Sequence, residues 1–166
     1  MKFKKTMFLL TLFILMLEFS TYILACTGVI VGKGLTSDGS YIFGRNEDFL
    51  AEPEHNKNFV VREGGKNKPG EIFKDESNGF TYPLPETRYK YFSVPDVTPE
   101  EGIFDEAGFN EFGVAIDTTV SANSNDKIKK IDPYVKDGLA ESAMPTVILP
   151  YVKTAREGVL RLAEII

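Results

Sequence analysis

The sequence contains one cysteine, one histidine and no tryptophan among its 166 residues. A single cysteine excludes an internal disulfide, and a single histidine, His55, excludes a metal site built from several imidazoles. Acidic residues outnumber basic ones by 24 to 19. Because this acidic chain has no cluster of lysine and arginine, we do not expect a nucleic acid as its partner. We also expect the protein to need no cofactor.

Long apolar runs are scarce, and the run at residues 7–17 is about half as long as a membrane-spanning helix. Three basic residues precede this run: Lys2, Lys4 and Lys5. With the small residue Ala25 at the far end, the pattern is typical of a secretory signal, and a retained anchor is the alternative. We therefore expect residues 1–25 to be a signal peptide of an exported protein, secreted or at the cell surface. That protein would touch the membrane only through the leader, before cleavage, and residues 26–166 would follow as part of a catalytic domain.

Cleavage after Ala25 would make Cys26 the first residue of the mature protein. A free α-amine has a pKa of about 7.7–8.0, so it can accept the thiol proton at neutral pH and return it to a leaving group. Cys26 would then carry both a nucleophile and a base, which is the arrangement of an N-terminal-nucleophile hydrolase.

Two other interpretations of Cys26 remain. The residues Ile23-Leu24-Ala25-Cys26 approximate the pattern that precedes a lipid-modified cysteine, which would make the protein a lipid-anchored binding module without catalysis. A lone cysteine is also commonly a small buried apolar side chain. An apolar strand that begins directly after Cys26 favours the nucleophile, because a lipid anchor is usually followed by a polar tether.

A hairpin is predicted next to Cys26. The β-branched segment Thr27–Val31 and the extended segment 41–43 flank an Asp-Gly turn at residues 37–40. The two strands run in opposite directions, so the hairpin would bring Arg45 and Asp48 back beside Cys26. Arg45 would then favour the thiolate and hold a developing negative charge, and Asp48 would hydrogen-bond the α-ammonium.

The middle of the chain is polar and interrupted by prolines from residue 50 to about residue 101, with strands expected near 59–61 and 89–94. Its aromatic residues are expected to pack in the core: Phe73, Phe80, Tyr82, Tyr89, Tyr91 and Phe92. His55 and six acidic residues are expected at the solvated surface: Glu52, Glu54, Glu100, Glu101, Asp105 and Glu106. Binding of a substrate amine by one of these acids is the alternative.

The last third of the chain contains one predicted turn and one strong helix. Asn110, followed by Gly113, predicts a tight turn into a strand that starts near Val114. Residues 121–130 are expected to form a polar loop and residues 132–134 to open a short helix, with proline in its first turn. Apolar residues at steps of three and four predict one helix from 145 to 166.

At several of these segments the chain resembles cysteine dipeptidases of the N-terminal-nucleophile hydrolases, peptidase family C69. More distantly it is similar to penicillin V acylases and bile salt hydrolases. The resemblance extends from residue 25 to the last residue and rests on these segments: Ala25-Cys26-Thr27-Gly28, Gly44-Arg45-Asn46-Glu47-Asp48, Asn110-Glu111-Phe112-Gly113-Val114-Ala115-Ile116, Asp132-Pro133-Tyr134 and Leu149-Pro150-Tyr151-Val152-Lys153-Thr154-Ala155-Arg156-Glu157-Gly158.

The resemblance implies an α+β protein with the four-layer αββα fold of these hydrolases, of which this chain would be the N-terminal part. It implies that Cys26 is the nucleophile, that Arg45 and Asp48 flank it, and that dipeptides are the substrates. Hydrolysis of an N-acyl amide is the alternative, and a homo-oligomer stays open. Members of the family are much longer, and the apolar helix that reaches Ile166 predicts that the domain continues.

Overall fold

The structure is a computed structural model that describes residues 26–47, 57–96, 102–119 and 124–166. The predicted signal peptide, Asp48 and His55 lie outside these residues, as do Glu52, Glu54, Glu100 and Glu101. The described strands are β1 (Thr27–Val31), β2 (Ile42–Asn46), β3 (Val60–Arg62), β4 (Gly65–Lys66), β5 (Ile72–Lys74), β6 (Thr81–Pro83), β7 (Thr87–Arg88), β8 (Tyr91–Ser93), β9 (Ala107–Asn110) and β10 (Ala115–Asp117). The described α-helices are α1 (Asp126–Ile131), α2 (Met144–Ile148) and α3 (Ala155–Ile165), and 3₁₀ turns occupy Glu141–Ala143 and Leu149–Tyr151. This mixture of sheet and helix agrees with the expected α+β class.

Strands β1 and β2 form the predicted hairpin. They pair antiparallel, from Thr27 opposite Asn46 to Val31 opposite Ile42. At the turn, the carboxylate of Asp38 accepts a hydrogen bond from the Ser40 backbone N–H at 3.0 Å. The hairpin prediction is confirmed, with a second strand that is longer than expected.

A four-stranded antiparallel sheet has the order β10-β9-β8-β3. The predicted turn between β9 and β10 is confirmed, and Gly113 adopts a φ of 76° there, a conformation that favours glycine. In the proline-interrupted middle of the chain, the strands expected near 59–61 and 89–94 are confirmed as β3 and β8. Two small ribbons there, β4 with β7 and β5 with β6, were not predicted.

The hydrophobic core lies between this sheet and the segment that contains α2. Its most buried apolar side chains include Val147, Ile148, Leu149 and Val152, each at most 2% exposed. The predicted aromatic core is confirmed for Phe80 and Tyr91, and partly buried Phe73 and Tyr82 pack against the same cluster.

The prediction of a single helix from residue 145 to 166 is wrong. The chain leaves helical geometry at Val152, whose backbone is extended, with a φ of −133° and a ψ of 148°. Pro150 lacks a backbone N–H and so removes one helical hydrogen bond. The Asn110 side chain binds two carbonyls at this break, at 2.9 Å from Leu149 O and 2.7 Å from Val152 O. Helix α3 starts afresh after Thr154, whose hydroxyl accepts a hydrogen bond from the Glu157 N–H at 3.2 Å.

The prediction for residues 121–134 is also wrong in two respects. Residues 126–131 form helix α1 rather than a loop, since the Asn125 side chain caps the N–H groups of Lys127 and Ile128. Residues 132–134 do not open a helix: Asp132 already has a ψ of 82° before Pro133, in line with the steric restriction that proline places on the residue before it. In the part of the chain that the structure describes, no helix is long and apolar enough to cross a membrane.

Candidate active site

The hairpin brings Arg45 to Cys26. Gly28 pairs with Arg45 across the two strands, and the Arg45 Nη2 donates to the Cys26 Sγ at 3.3 Å. The Arg45 side chain is only 9% exposed, and Cys26 is half-buried. The guanidinium therefore approaches the sulfur within a largely dry environment, where a charge acts more strongly than in water.

Three carboxylates surround the Arg45 guanidinium. Its Nη1 contacts Asp117 Oδ1 at 2.5 Å, and its Nη2 lies 3.1 Å from both Glu47 Oε2 and Glu106 Oε2. The Thr118 carbonyl accepts a further bond from Nη1. Burial alone would lower the pKa of Arg45, but the bonds to Asp117 and Glu47 outweigh it and raise that pKa, so Arg45 stays charged. Every one of these partners restricts where the guanidinium can point.

Lys57 supplies a second cation to the same cluster. Its Nζ lies 2.7 Å from Asp96 Oδ1 and 2.9 Å from Glu106 Oε2, and it donates to the Phe104 carbonyl at 3.2 Å. Burial opposes the charge on Lys57, but the bonds to Asp96 and Glu106 prevail and raise its pKa. Glu106 therefore bridges Lys57 and Arg45.

Glu106 and Glu47 share the space between the two cations. Burial, and then the hydrogen bond with Glu47, raise the pKa of Glu106 to about 7 even though Lys57 opposes this. Burial also acts against the charged form of Glu47, but its bond to Glu106 and the charges of Lys57 and Arg45 lower the pKa of Glu47 overall. Near neutral pH the Glu106–Glu47 pair can thus share one proton.

Asp105 and Glu106 were predicted at the solvated surface, and for both residues that prediction is wrong. Asp105 is 0% exposed and Glu106 is 5% exposed. Asp105 accepts from Arg62 Nη2 at 3.2 Å and from Thr146 Oγ1 at 2.5 Å. It joins β3 to α2 through charge-assisted hydrogen bonds, which explains how a carboxylate can be buried here.

A cavity of about 660 Å³ begins where β10 ends. Asp117 and Thr118, which both contact Arg45, form part of its wall. Glu141 also lines the cavity, and its Oε2 is buried without a hydrogen-bond partner. Burial raises the pKa of Glu141, and the charge of Arg45 opposes that shift.

Comparison with known proteins identifies the family. The family model described as "Peptidase family C69" matches residues 25–166. The chain belongs to peptidase family C69. It is 64% identical over 142 residues to "Probable dipeptidase B" of Streptococcus pyogenes serotype M1, covering 86% of this chain and 28% of that protein.

Other relatives of this C69 chain are also named as dipeptidases. It is 41% identical over 143 residues to "Probable dipeptidase" of Latilactobacillus sakei and 37% identical over 155 residues to "Dipeptidase" of Bifidobacterium longum. Each comparison covers 86% of this chain, but only 30% of the Latilactobacillus sakei protein and 29% of the Bifidobacterium longum protein. The chain thus spans less than a third of the length of the curated relatives it matches.

The C69 site contains residues that sequence reasoning missed as well as those it selected. Cys26 and Arg45 lie together, whereas Asp48 lies outside the described residues and its role stays a prediction. Lys57 and Asp117 were not singled out. Lys57 joins the cluster through Asp96 and Glu106, which are distant from it along the chain, and Asp117 is 72 residues from Arg45. For Asp117 the available signal was its position at the end of the strand after the predicted turn, where polar side chains often line a site.

Proposed function

We propose that this C69 chain is the nucleophile-bearing part of a cysteine dipeptidase, which hydrolyses the peptide bond of dipeptides through an acyl-enzyme on Cys26. The observation that carries the proposal is the contact of 3.3 Å between Arg45 Nη2 and Cys26 Sγ. Family membership and the dipeptidase names of the relatives support the choice of substrate class.

The proposed reaction starts once residues 1–25 have been removed and Cys26 has a free α-amine. The amine takes the thiol proton, and the thiolate attacks the carbonyl carbon of the peptide bond. When the C–N bond breaks, the α-ammonium returns its proton to the departing amine, which leaves a thioester on Cys26. Water then attacks the thioester with the α-amine again as base, releasing the amino acid and regenerating the thiol.

Arg45 acts in this reaction as a fixed positive charge. Because a guanidinium cannot be deprotonated under these conditions, Arg45 serves as a counter-ion to the thiolate and to negative charge that develops nearby, and not as an acid or base. Asp117 and Glu106 hold it in place, so little reorganisation is needed when charge appears. We assign Asp48 the role of accepting a hydrogen bond from the α-ammonium of Cys26.

The proposed fold of the whole protein is the four-layer αββα arrangement. One face of the four-stranded sheet packs on the core around α2, while the opposite face carries a stacked aromatic row. The ring centroids of Phe59 and Phe92 are 5.4 Å apart and those of Phe92 and Phe109 are 4.7 Å apart. Phe59 is 65% exposed and Phe109 is 42% exposed. An apolar sheet face of this kind is suited to packing against a second sheet.

We further propose that the protein is exported, secreted or held at the cell surface, with residues 1–25 as its cleaved signal. Fractionation of cells that express the complete gene product tests this proposal. The protein should be recovered outside the cytoplasm, and replacement of Lys2, Lys4 and Lys5 by glutamate should retain it inside. Cytoplasmic recovery of the unaltered protein would refute export.

The catalytic proposal is tested by Cys26→Ala in the complete gene product. Hydrolysis of dipeptides should fall by several orders of magnitude, because no other group in the described residues offers a thiol. Ser37→Ala, a change at an exposed position in the same hairpin, serves as the matched control and should retain activity. Unchanged hydrolysis by Cys26→Ala would show that the nucleophile lies elsewhere.

A further inference from the structure

We propose that Glu141 binds the free α-ammonium group of the dipeptide, and that the cavity beside it receives the side chain of the first substrate residue. This inference rests on the proposed dipeptidase function and assigns a specificity-determining residue to it. Two observations support it. The Glu141 carboxylate is partly buried and has no hydrogen-bond partner at one oxygen, and it lies in the wall of a cavity that adjoins the Arg45 cluster.

The carboxylate of Glu141 lacks a compensating donor. Its Oε2 is buried without a partner, and a buried polar atom left unsatisfied costs about 1–3 kcal/mol, more if it is charged. The neighbouring cations are already engaged: Arg45 contacts Asp117, Glu47 and Glu106, and Lys57 contacts Asp96 and Glu106. Oε2 is closed to solvent in the structure, so a ligand in the cavity reaches it only when the Glu141 side chain turns toward the cavity. A ligand that brings its own N–H donors and positive charge would then supply what the protein lacks at Glu141.

The cavity has room and apolar walls for more than an ammonium group. Its volume is about 660 Å³, within the range of small-molecule sites. Val135, Leu139 and Met144 line it together with Glu141. Apolar walls suit an amino acid side chain, and a methionine in the wall adapts to side chains of different shapes.

Position relative to the nucleophile is the second argument. Asp117 and Thr118 lie both in the cavity wall and against Arg45, and Arg45 contacts the Cys26 sulfur. In a dipeptide the α-ammonium is separated from the scissile carbonyl carbon by a single carbon atom. A substrate whose carbonyl is at Cys26 therefore has its ammonium group and first side chain close to the sulfur, and the cavity that shares Asp117 and Thr118 with the Arg45 cluster is the space assigned to them.

Binding of the ammonium predicts a preference for dipeptides over N-acylated amides. An acyl group in place of the ammonium would leave Glu141 facing a neutral atom, with its buried oxygen still unsatisfied. A site that binds a polar group of the substrate rejects analogues that lack this group more strongly than a purely apolar pocket can.

The test compares a dipeptide with its des-amino analogue, phenylalanyl-glycine with 3-phenylpropanoyl-glycine, in the complete gene product. Glu141→Gln should lower kcat/KM for the dipeptide by about tenfold to a hundredfold, as expected for loss of a charge-assisted hydrogen bond, and should change it little for the des-amino analogue. Glu141→Asp, which retains the charge, should recover part of the loss. Glu164→Gln on the exposed side of α3 is the matched control and should behave like the unaltered protein.

Two failures are distinguishable. If the unaltered protein hydrolyses neither compound, the proposed dipeptidase function is overturned and this inference falls with it. If it hydrolyses the dipeptide but Glu141→Gln affects both compounds equally, Glu141 does not recognise the ammonium and the inference alone is wrong. Protection of Cys26 from iodoacetamide by phenylalanine, the product that keeps the free ammonium group and has no peptide bond to cleave, provides a binding readout that does not need turnover. Protection should weaken in Glu141→Gln, and unchanged protection would contradict the inference.

Discussion

The Asp117 carboxylate lies directly against the backbone of Gly28. A Cβ atom added at Gly28 would overlap Asp117 Oδ2, because it would lie much closer to this oxygen than two non-bonded atoms can approach. The other oxygen of the same carboxylate holds Arg45 Nη1. The lack of a side chain at Gly28 is thus what allows Asp117 to reach across β1 and position the guanidinium at Cys26.

Gly28→Ala should therefore lower activity through Arg45. The added methyl group displaces the carboxylate of Asp117, and the guanidinium loses its partner, so kcat should fall by about tenfold or more, as misplaced catalytic groups do. Gly32→Ala is the matched control in the same hairpin, because a Cβ there meets no atom within 4 Å. Equal rates for Gly28→Ala and Gly32→Ala would contradict the positioning role of Asp117.

Arg45→Lys should slow the reaction of Cys26 with iodoacetamide at neutral pH by about tenfold. A lysine ammonium is a point charge and cannot contact the sulfur, Asp117 and Glu106 together, as the guanidinium fork does, so the thiolate loses stabilisation. The measurement is the rate of alkylation followed by mass spectrometry. The control is Arg62→Lys, which affects the partly buried ion pair of Arg62 with Asp105. An equally slow rate in that variant would show a general structural effect and contradict the role given to Arg45.

The contribution of Glu106 to the free energy of unfolding should fall as the pH rises from about 4.5 to 7. Its pKa is raised from 4.5 to about 7 in the folded protein, so in this interval the folded state binds more protons than the unfolded state. Glu106→Gln, which imitates the protonated form, should flatten this part of the profile of unfolding free energy. Glu164→Gln should leave it unchanged, and a profile that stays equally steep in Glu106→Gln would refute the assignment.

The lowered pKa of Glu47 acts in a different interval. Its charged form stabilises the folded state above the ordinary carboxylate pKa of 4.5, and that contribution is lost as the pH falls through the lower folded value. The two carboxylates therefore have opposite effects, with Glu47 acting below about pH 4.5 and Glu106 above it. A urea titration at half-unit pH steps separates them.

Asn110→Ala should cost about 3 kcal/mol or more in the free energy of unfolding. The side chain is 2% exposed and makes four hydrogen bonds, two to carbonyls at the helix break and two to the N–H groups of Phe112 and Val114. Each lost bond leaves a buried group unsatisfied. Asn125→Ala, which removes only the cap of α1, should cost about 1 kcal/mol, and similar losses in denaturant titrations of the two variants would contradict the role given to Asn110.

Sequence reasoning reached the Cys26–Arg45 contact because a hairpin is a local structure. An Asp-Gly turn and the two extended segments beside it predict the hairpin within about twenty residues, and the pairing of its strands decides which side chain faces Cys26. The turn after Asn110 was predictable for the same reason, since glycine at the required position marks the change in backbone direction.

The rest of the site depends on contacts between distant segments. Glu106 and Asp117 are 61 and 72 residues from Arg45 along the chain, and only the assembled sheet brings them to it. Taken alone, an acidic run such as 105–106 resembles a solvated surface, because nothing nearby in the sequence shows that Arg62 and Lys57 will pair with it. The helix break after α2 also depends on a distant side chain, that of Asn110, which binds the carbonyls freed there.

The central claim is that the working protein presents Cys26 as a first residue with a free α-amine next to Arg45. Intact-mass and N-terminal peptide analysis of the active, complete gene product tests this claim most directly. The account predicts that the active protein begins at an unmodified Cys26. It also predicts that mild acetylation of the Cys26 α-amine abolishes the dipeptidase activity. A leader that remains attached to Cys26 in the active protein, or a Cys26 blocked by fatty acid, would contradict it.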